Sequence, residues 1–448
     1  MKSKTKILQV VIKNTSTLDF SLPLLCFLKN RLSGADISIL YCVANKNEIL
    51  LDSNYYTNEL IKHNINQFDL LDFLPIFLRK FEFIIRKCFN PYNNETYLNI
   101  KLSSDPFLLK VPKYLVYIIK KIMKSVKEKI LKILLNNSDI IGTINPDIVL
   151  LDNRSDISFP GDKEIFDCLF KTKKIKIVLL PHAPHYISSC FSHVDPNPFD
   201  RFYSECDIWM PFLPATPWIN RPDLKKYFFY SGYPGFDSEC IKYFKASAKE
   251  KKDKIYILYI GRKFLDKNVE RPKKYNFVTM DYDEVLHQIN CINKSLKDLN
   301  IEFNLIYKAH PSSNNLLVEK MLDESDVISY ECSFDAIYSF VSKVDLVISP
   351  YSTALFLFAI SGIPTVLFKS KMMGEAISSW EVLSDLYENM SYYCNQEDMK
   401  EVLNRIFSDN GNDAMKDVMH IRGYFPDNSL ENCYNRILDL KKNGNIYD

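Results

Sequence analysis

The chain has 448 residues, and its 57 Lys and Arg against 55 Asp and Glu leave a formal net charge of +2. That length accommodates two or three domains, and a composition 47% hydrophobic and 25% charged excludes long disordered tails and fibrous repeats. A balance so close to neutral gives no basis for nucleic-acid binding, which calls for a strong basic excess. The 11 cysteines are odd in number and form no C-x-x-C pair, which points to buried thiols in a reducing compartment. The apolar run 7–12 is too short for a signal-peptide core, and no stretch of about 18 residues is free of charge. A cytoplasmic protein is expected.

In chain order, 6–12 reads as a strand, 18–32 as a helix and 36–42 as a second strand, with later strands at 147–151, 175–180 and 207–212. These runs are continuously apolar rather than alternating, which suits a parallel sheet covered on both faces. Between them, 68–88 and 111–136 have helical periodicity. In the latter, Leu115, Ile119, Ile122, Val126, Ile130 and Ile133 form one stripe, with Lys113, Lys120, Lys121, Lys124 and Lys127 mostly opposite. Such a helix either packs on a core with a solvated lysine face or lies on an anionic membrane surface. In a chain with only 11 glycines, Ser231-Gly-Tyr-Pro-Gly-Phe-Asp237 marks a turn or hinge, and a charged stretch follows at 245–253.

The second half restarts the rhythm. Strands are predicted at 254–260, 302–309, 345–349 and 364–368, and helices at 281–299, 315–322, 333–341, 352–361 and 429–442. The expected fold class is α/β, with two Rossmann-like doubly wound domains facing a central cleft. The first domain is 1–235 with a helical insertion, the second is 236–428, and 429–448 is a closing helix. Neither a G-x-G-x-x-G fingerprint nor a P-loop is present.

Ligands of such sheets sit beyond the carboxyl ends of strands, and four strand ends carry chemistry. His310, Pro311, Ser312 and Ser313 follow the strand 302–309 and offer an imidazole and two hydroxyls. Ser349 ends the next strand, and Ser352 and Thr353 are expected to open a helix whose free N–H groups hold an anion. His182 and His185, bracketed by Pro181 and Pro184, follow the strand 175–180 as a candidate general base. They are also conceivable metal ligands, but no adjacent Cys or carboxylate completes a set. Asp152 ends the strand 147–151 and could take a proton from an acceptor hydroxyl. Gly261 and Arg262, where the strand 254–260 ends, join the donor-side set. Asp281-Tyr-Asp283 matches a metal-binding D-x-D, but Asp281 with Glu284 reads better as a capping box.

Four of these segments resemble motifs of GT-B glycosyltransferases that build bacterial surface polysaccharides. Gly232-Tyr-Pro-Gly235 resembles a hinge segment of the CDP-glycerol glycerophosphotransferases. Lys308-Ala-His310-Pro311 resembles their His-Pro motif and that of bacterial sialyltransferases. Ser349-Pro-Tyr-Ser352-Thr353 resembles their paired-serine motif, with Pro350 in place of an aspartate, and Pro181-His182-Ala183 stands where the family has His-Gly. The resemblance covers roughly residues 175–370, and 44–146 match nothing. It implies a GT-B enzyme moving a sugar from a nucleotide-activated donor, CMP- or UDP-linked, to a glycan or lipid-linked glycan acceptor. His310 and Ser352/Thr353 would bind donor phosphates, and His182 would serve as base or acceptor contact. The implied reaction is an inverting displacement without a metal or other cofactor, at the cytoplasmic face of the inner membrane if the lysine-faced helix lies on lipid. The alternatives are a CDP-glycerol-type polyol-phosphate transferase, a UDP-N-acetylglucosamine 2-epimerase and an inactive scaffold. Against the epimerase, 349–358 lack its glycine pair and paired glutamates.

Overall fold

The computed structural model of the protein describes residues 4–11, 16–32, 34–41, 54–73, 129, 140–153, 175–181, 208–209, 229–246, 254–267, 280–310, 313–369, 381–395, 397–408 and 412–443. The bulk of both predicted helices at 68–88 and 111–136, and His182, His185, Pro311 and Ser312, lie outside the described residues.

The first half runs β1 (Lys6–Val11), α1 (Ser16–Arg31), β2 (Asp36–Tyr41), α2 (Asn54–Lys62), β3 (Asn66–Asp69), α3 (Ile140–Ile144), β4 (Ile148–Asn153), β5 (Lys176–Pro181) and β6 (Ile208–Trp209). After a 3-10 turn at Pro234–Phe236, the chain continues through α4 (Ser238–Ala246), β7 (Ile255–Ile260), β8 (Phe264–Leu265), β9 (Met280–Asp281), α5 (Tyr282–Asp298) and β10 (Phe303–Lys308). Then come α6 (Asn315–Asp323), β11 (Tyr330–Ser333), β12 (Leu346–Ser349), α7 (Leu355–Ile360), β13 (Thr365–Phe368), α8 (Glu381–Glu388), β14 (Tyr392–Cys394), α9 (Met399–Ser408), α10 (Asn412–Arg422) and α11 (Ser429–Asn443).

Among the described residues each half contains a six-stranded sheet, in the orders β3-β2-β1-β4-β5-β6 and β11-β10-β7-β12-β13-β14. Every pairing within them is parallel. Both orders are the doubly wound 3-2-1-4-5-6, and each winding reverses between its first and fourth strand: β1 and β4, then β7 and β12. The expected parallel sheets are therefore present, and their centres are fully buried, as Leu8, Val10, Leu150, Ile257, Leu258 and Val347 illustrate. Burying one such side chain stabilises by about 1.5–3 kcal/mol.

Three expectations are corrected. The predicted helix at 333–341 is the end of β11 followed by a 3-10 turn at Ile337–Phe340. Ser333 pairs with Lys308 in the sheet, and the Asp335 carboxylate takes the Ala336 N–H at 2.8 Å, which turns the chain instead of starting a helix. Phe68 and Asp69 belong to β3, and Leu70–Phe73 is a 3-10 turn, so no helix starts at 68. The helix expected at 352 begins at Leu355 and has six residues, every one buried. Asp281 does stand at the N-cap of α5 but makes no side-chain capping bond.

The halves meet through α1. Pro23 lies inside α1 and has no N–H for the carbonyl four residues earlier, that of Asp19. That carbonyl instead accepts the hydroxyl of Tyr338 from the second half. A Cβ on Gly235 would meet the Tyr338 hydroxyl oxygen at 2.3 Å, so glycine is what lets the phenol through. Tyr338 also stacks on Phe244 of α4, with centroids 4.5 Å apart. Gly232 has φ +74°, and a Cβ there would meet Ser429 Oγ at 2.3 Å and the Pro426 ring at 2.9 Å. The closing helix α11 returns to the first half: Phe27 and Tyr434 make an edge contact at 6.1 Å, and Lys441 donates to Thr5 Oγ1 at 2.6 Å.

Candidate functional site

The site is built at the carboxyl edge of the second sheet. Register places Ile260 beside Lys308 on one side, and Tyr259 beside Ile348 on the other. The residues that follow these strands, Arg262, His310 and Ser352, therefore leave three adjacent strands about 4.8 Å apart. The ladder runs one residue past β7, with Gly261 N–H donating to the Lys308 carbonyl at 2.9 Å. A Cβ on Gly261 would strike the Tyr307 ring at 2.4–2.8 Å, so only glycine fits over this tyrosine. Tyr307 in turn stacks on Tyr259, which donates to Gln288 Oε1 at 2.6 Å and anchors the pair to α5.

Arg262 follows directly at the point where the winding reverses. Its Nε is enclosed without a hydrogen-bond partner. Burial holds its guanidinium below the ordinary value, and the nearby Tyr387 hydroxyl acts in the opposite direction. Among the described residues no carboxylate pairs with it. Arg262 as a whole is half-buried, and a cation partly withdrawn from water without an anion beside it is destabilised, so this arrangement is suited to accepting negative charge from a ligand. The Lys308 ammonium is also buried and donates to the Ala309 carbonyl at 3.0 Å.

His310 is half-buried at the end of this segment. Its carbonyl accepts the Ser313 N–H at 2.8 Å, closing a turn, and the Ser313 hydroxyl is buried without a partner. On the other side, Ser349 is fully buried and its hydroxyl lies 2.9 Å from the Ile260 carbonyl and 2.7 Å from that of Pro350. Ser349 thus pins β12 to β7 rather than facing a ligand. Ser352 lies in the following turn, where its Oγ is 3.4 Å from the Ala354 N–H, and Thr353 is half-buried. A six-residue helix offers a weaker dipole than the longer one expected, so the cationic groups carry most of the positive potential here.

Aromatic side chains missed by sequence reasoning border this edge. Tyr351 meets Tyr387 edge-on at 5.3 Å and shares a 2.5 Å hydroxyl contact with Tyr393, and Lys369 lies 3.9 Å above the Tyr393 ring. Lys369 directly follows β13, so the strand-end rule applied to every strand would have found it. In the first half, Asp152 lies near the end of β4, the strand at that sheet's own reversal point.

No family model and no curated protein sequence matches the chain. Solved structures do. A UDP-N-acetylglucosamine 2-epimerase is 10% identical with a TM-score of 0.57, over 98% of this chain and 96% of the other. The UDP co-structure of S. aureus MnaA is 13% identical with a TM-score of 0.54, over 98% and 96%. The wall teichoic acid polymerase TagF is 11% identical with a TM-score of 0.52, over 98% and 90%. The similarity extends along nearly the whole of each chain, so the protein has the two-domain α/β fold, GT-B, that the short motifs implied.

Proposed function

We propose that the protein is a nucleotide-sugar glycosyltransferase that binds its donor at the carboxyl edge of the second sheet. The observation that carries this is Arg262: a half-buried guanidinium at the reversal point, its Nε enclosed without a partner and no carboxylate paired with it among the described residues, on the strand end between those of His310 and Ser352/Thr353. The donor's phosphate group supplies the negative charge that this corner lacks, through charge-assisted hydrogen bonds. In an inverting displacement, a base from the first half deprotonates the acceptor hydroxyl as it attacks the anomeric carbon. The nucleotide phosphate departs with the bonding electrons, and Arg262 and His310 stabilise its charge. Asp152 and His182 are the candidate bases, with His185 beside the latter. The acceptor in this reading is a growing surface glycan, free or lipid-linked.

A thermal-shift screen with CMP-, UDP-, GDP- and CDP-linked ligands tests the reading. A ligand present at 100 times its Kd raises stability by about 2.7 kcal/mol. One nucleotide class is expected to raise the melting temperature in the wild type and not in Arg262→Ala. No shift with any ligand counts against the proposal.

The 2-epimerase likeness favours a second reading. UDP-N-acetylglucosamine supplied alone separates the two, since an epimerase produces the 2-epimer without an acceptor. Release of glycerol phosphate to an acceptor from CDP-glycerol would instead select a polyol-phosphate transferase.

A further inference from the structure

A second cluster lies on α1 and α2 of the first half. α1 runs back from the carboxyl edge of its sheet, and Cys26, ten residues along at 1.5 Å each, sits about 15 Å from the helix start. There it meets Glu59 and His63, four residues apart on one face of α2 and its last turn, where the His63 N–H donates to the Glu59 carbonyl at 3.0 Å. One ligand atom from each of Cys26, Glu59 and His63 lies within 4.8 Å of the others, and all three residues are half-buried.

The surrounding contacts orient these donors inward. Asn30 Oδ1 lies 3.2 Å from His63 Nδ1, so a proton placed on Nδ1 would have an acceptor there and the Nε2 lone pair would be available to a metal. Nε2 is 3.5 Å from Glu59 Oε2. The other carboxylate oxygen, Oε1, accepts the Tyr243 hydroxyl at 2.6 Å, with Lys62 Nζ 3.8 Å away. One oxygen of Glu59 is thus used in the outer contacts and the other is turned toward Cys26 and His63. Tyr243 comes from α4, beyond the hinge segment, so the outer contacts join α4 to the first half.

We infer that Cys26, Glu59 and His63 form a zinc site that ties α1, α2 and α4 together. The donor set is one thiolate, one imidazole and one carboxylate. Zinc takes these at about 2.3 Å from sulfur and about 2.0–2.2 Å from nitrogen and oxygen, leaving a fourth position for water. Tetrahedral ligands at those lengths lie about 3.5 Å apart, so side-chain rotations of about an ångström close the cluster around an ion. Zinc displaces the proton of the Cys26 thiol, which is released to solvent. This site is independent of the donor reading.

The test uses the full-length protein, stripped with a chelator, desalted and titrated with Zn2+ by calorimetry, then with Co2+ followed by near-ultraviolet and visible absorption. One tight equivalent is expected, with an intense thiolate-to-cobalt band and a higher melting temperature on Zn2+ addition. Glu59→Gln and His63→Ala leave all 11 cysteines in place and are expected to weaken binding by about 100-fold or more. Asn30→Ala and Tyr243→Phe, which alter exposed side chains and spare the core, are expected to weaken it by about 10-fold. Affinity unchanged in Glu59→Gln and His63→Ala, a cobalt spectrum without the thiolate band, or no tight equivalent in the wild type overturns the inference.

Discussion

Gln9 lies on β1 and Arg262 just past the end of β7, corresponding strands of two sheets with one topology, and they end up with opposite chemistry. In the first half the reversal point is stitched from within: Gln9 on β1 is fully buried and its Nε2 donates to the Leu150 carbonyl of β4 at 3.2 Å. In the second half the same stitch is made by Ser349 on β12 to Ile260 of β7. Past the stitch the halves diverge. The first carries the acidic Asp152 near the end of β4, whereas the second carries Arg262, with Lys308 at the end of the next strand and His310 just beyond it. A doubly wound sheet fixes where a ligand can sit, and the residues just beyond its strands decide what that ligand is.

The contrast can be broken most severely where the chain crosses from one sheet to the other. Gly232→Ala puts a side chain on a backbone with φ +74° and drives its Cβ into Ser429 and Pro426. The expected loss is about 2–4 kcal/mol, read by denaturant unfolding; a change under about 0.5 kcal/mol would show that the crossing can shift freely. The contrast is sharpened by Arg262→Ala, expected to cost about 1.5–3 kcal/mol of nucleotide affinity by calorimetry. Because it removes a half-buried cation that has no carboxylate partner among the described residues, folding stability should hold or rise, and a large stability loss would make Arg262 a structural residue instead.

His310→Ala should cost about 1–3 kcal/mol of donor affinity. Asp152→Ala, on the other half, should lower turnover and spare donor affinity. If both variants move the same parameter, the assignment of one edge to the donor and the other to the acceptor fails. The smallest effect is expected from Ser349→Ala, about 1 kcal/mol of stability for the lost strand-to-strand bond, with nucleotide affinity nearly unchanged. A large affinity loss there would return Ser349 to direct donor contact.

The central strands were legible because parallel strands buried on both faces are unbroken apolar runs, as in Ile255–Ile260. The short strands β3, β11 and β14 were not. Asn66-Gln-Phe-Asp69 and Tyr330-Glu-Cys-Ser333 are polar or half-exposed, and their strand character comes from the neighbour they pair with. His310, Ser352 and Arg262 were found because each follows a strand. What the sequence could not show is which hydroxyl is already committed: Ser349 and Ser352 look alike in the motif, and only packing turns Ser349 toward Ile260. The grouping of Cys26 with Glu59 and His63 was equally hidden, since a gap of over thirty residues is closed only by the α1–α2 contact.

The return of α11 to the first half means that the polypeptide passes between the halves twice, once through Ser231–Asp237 and once just before Ser429. The two passages are tied side by side. Asp237 accepts the Leu430 N–H at 3.0 Å, and Arg422 donates to the Phe236 carbonyl at 2.7 Å. Two cords knotted at one spot act as a single pivot. Relative movement of the halves would have to strain these ties together with the Tyr338–Asp19 contact.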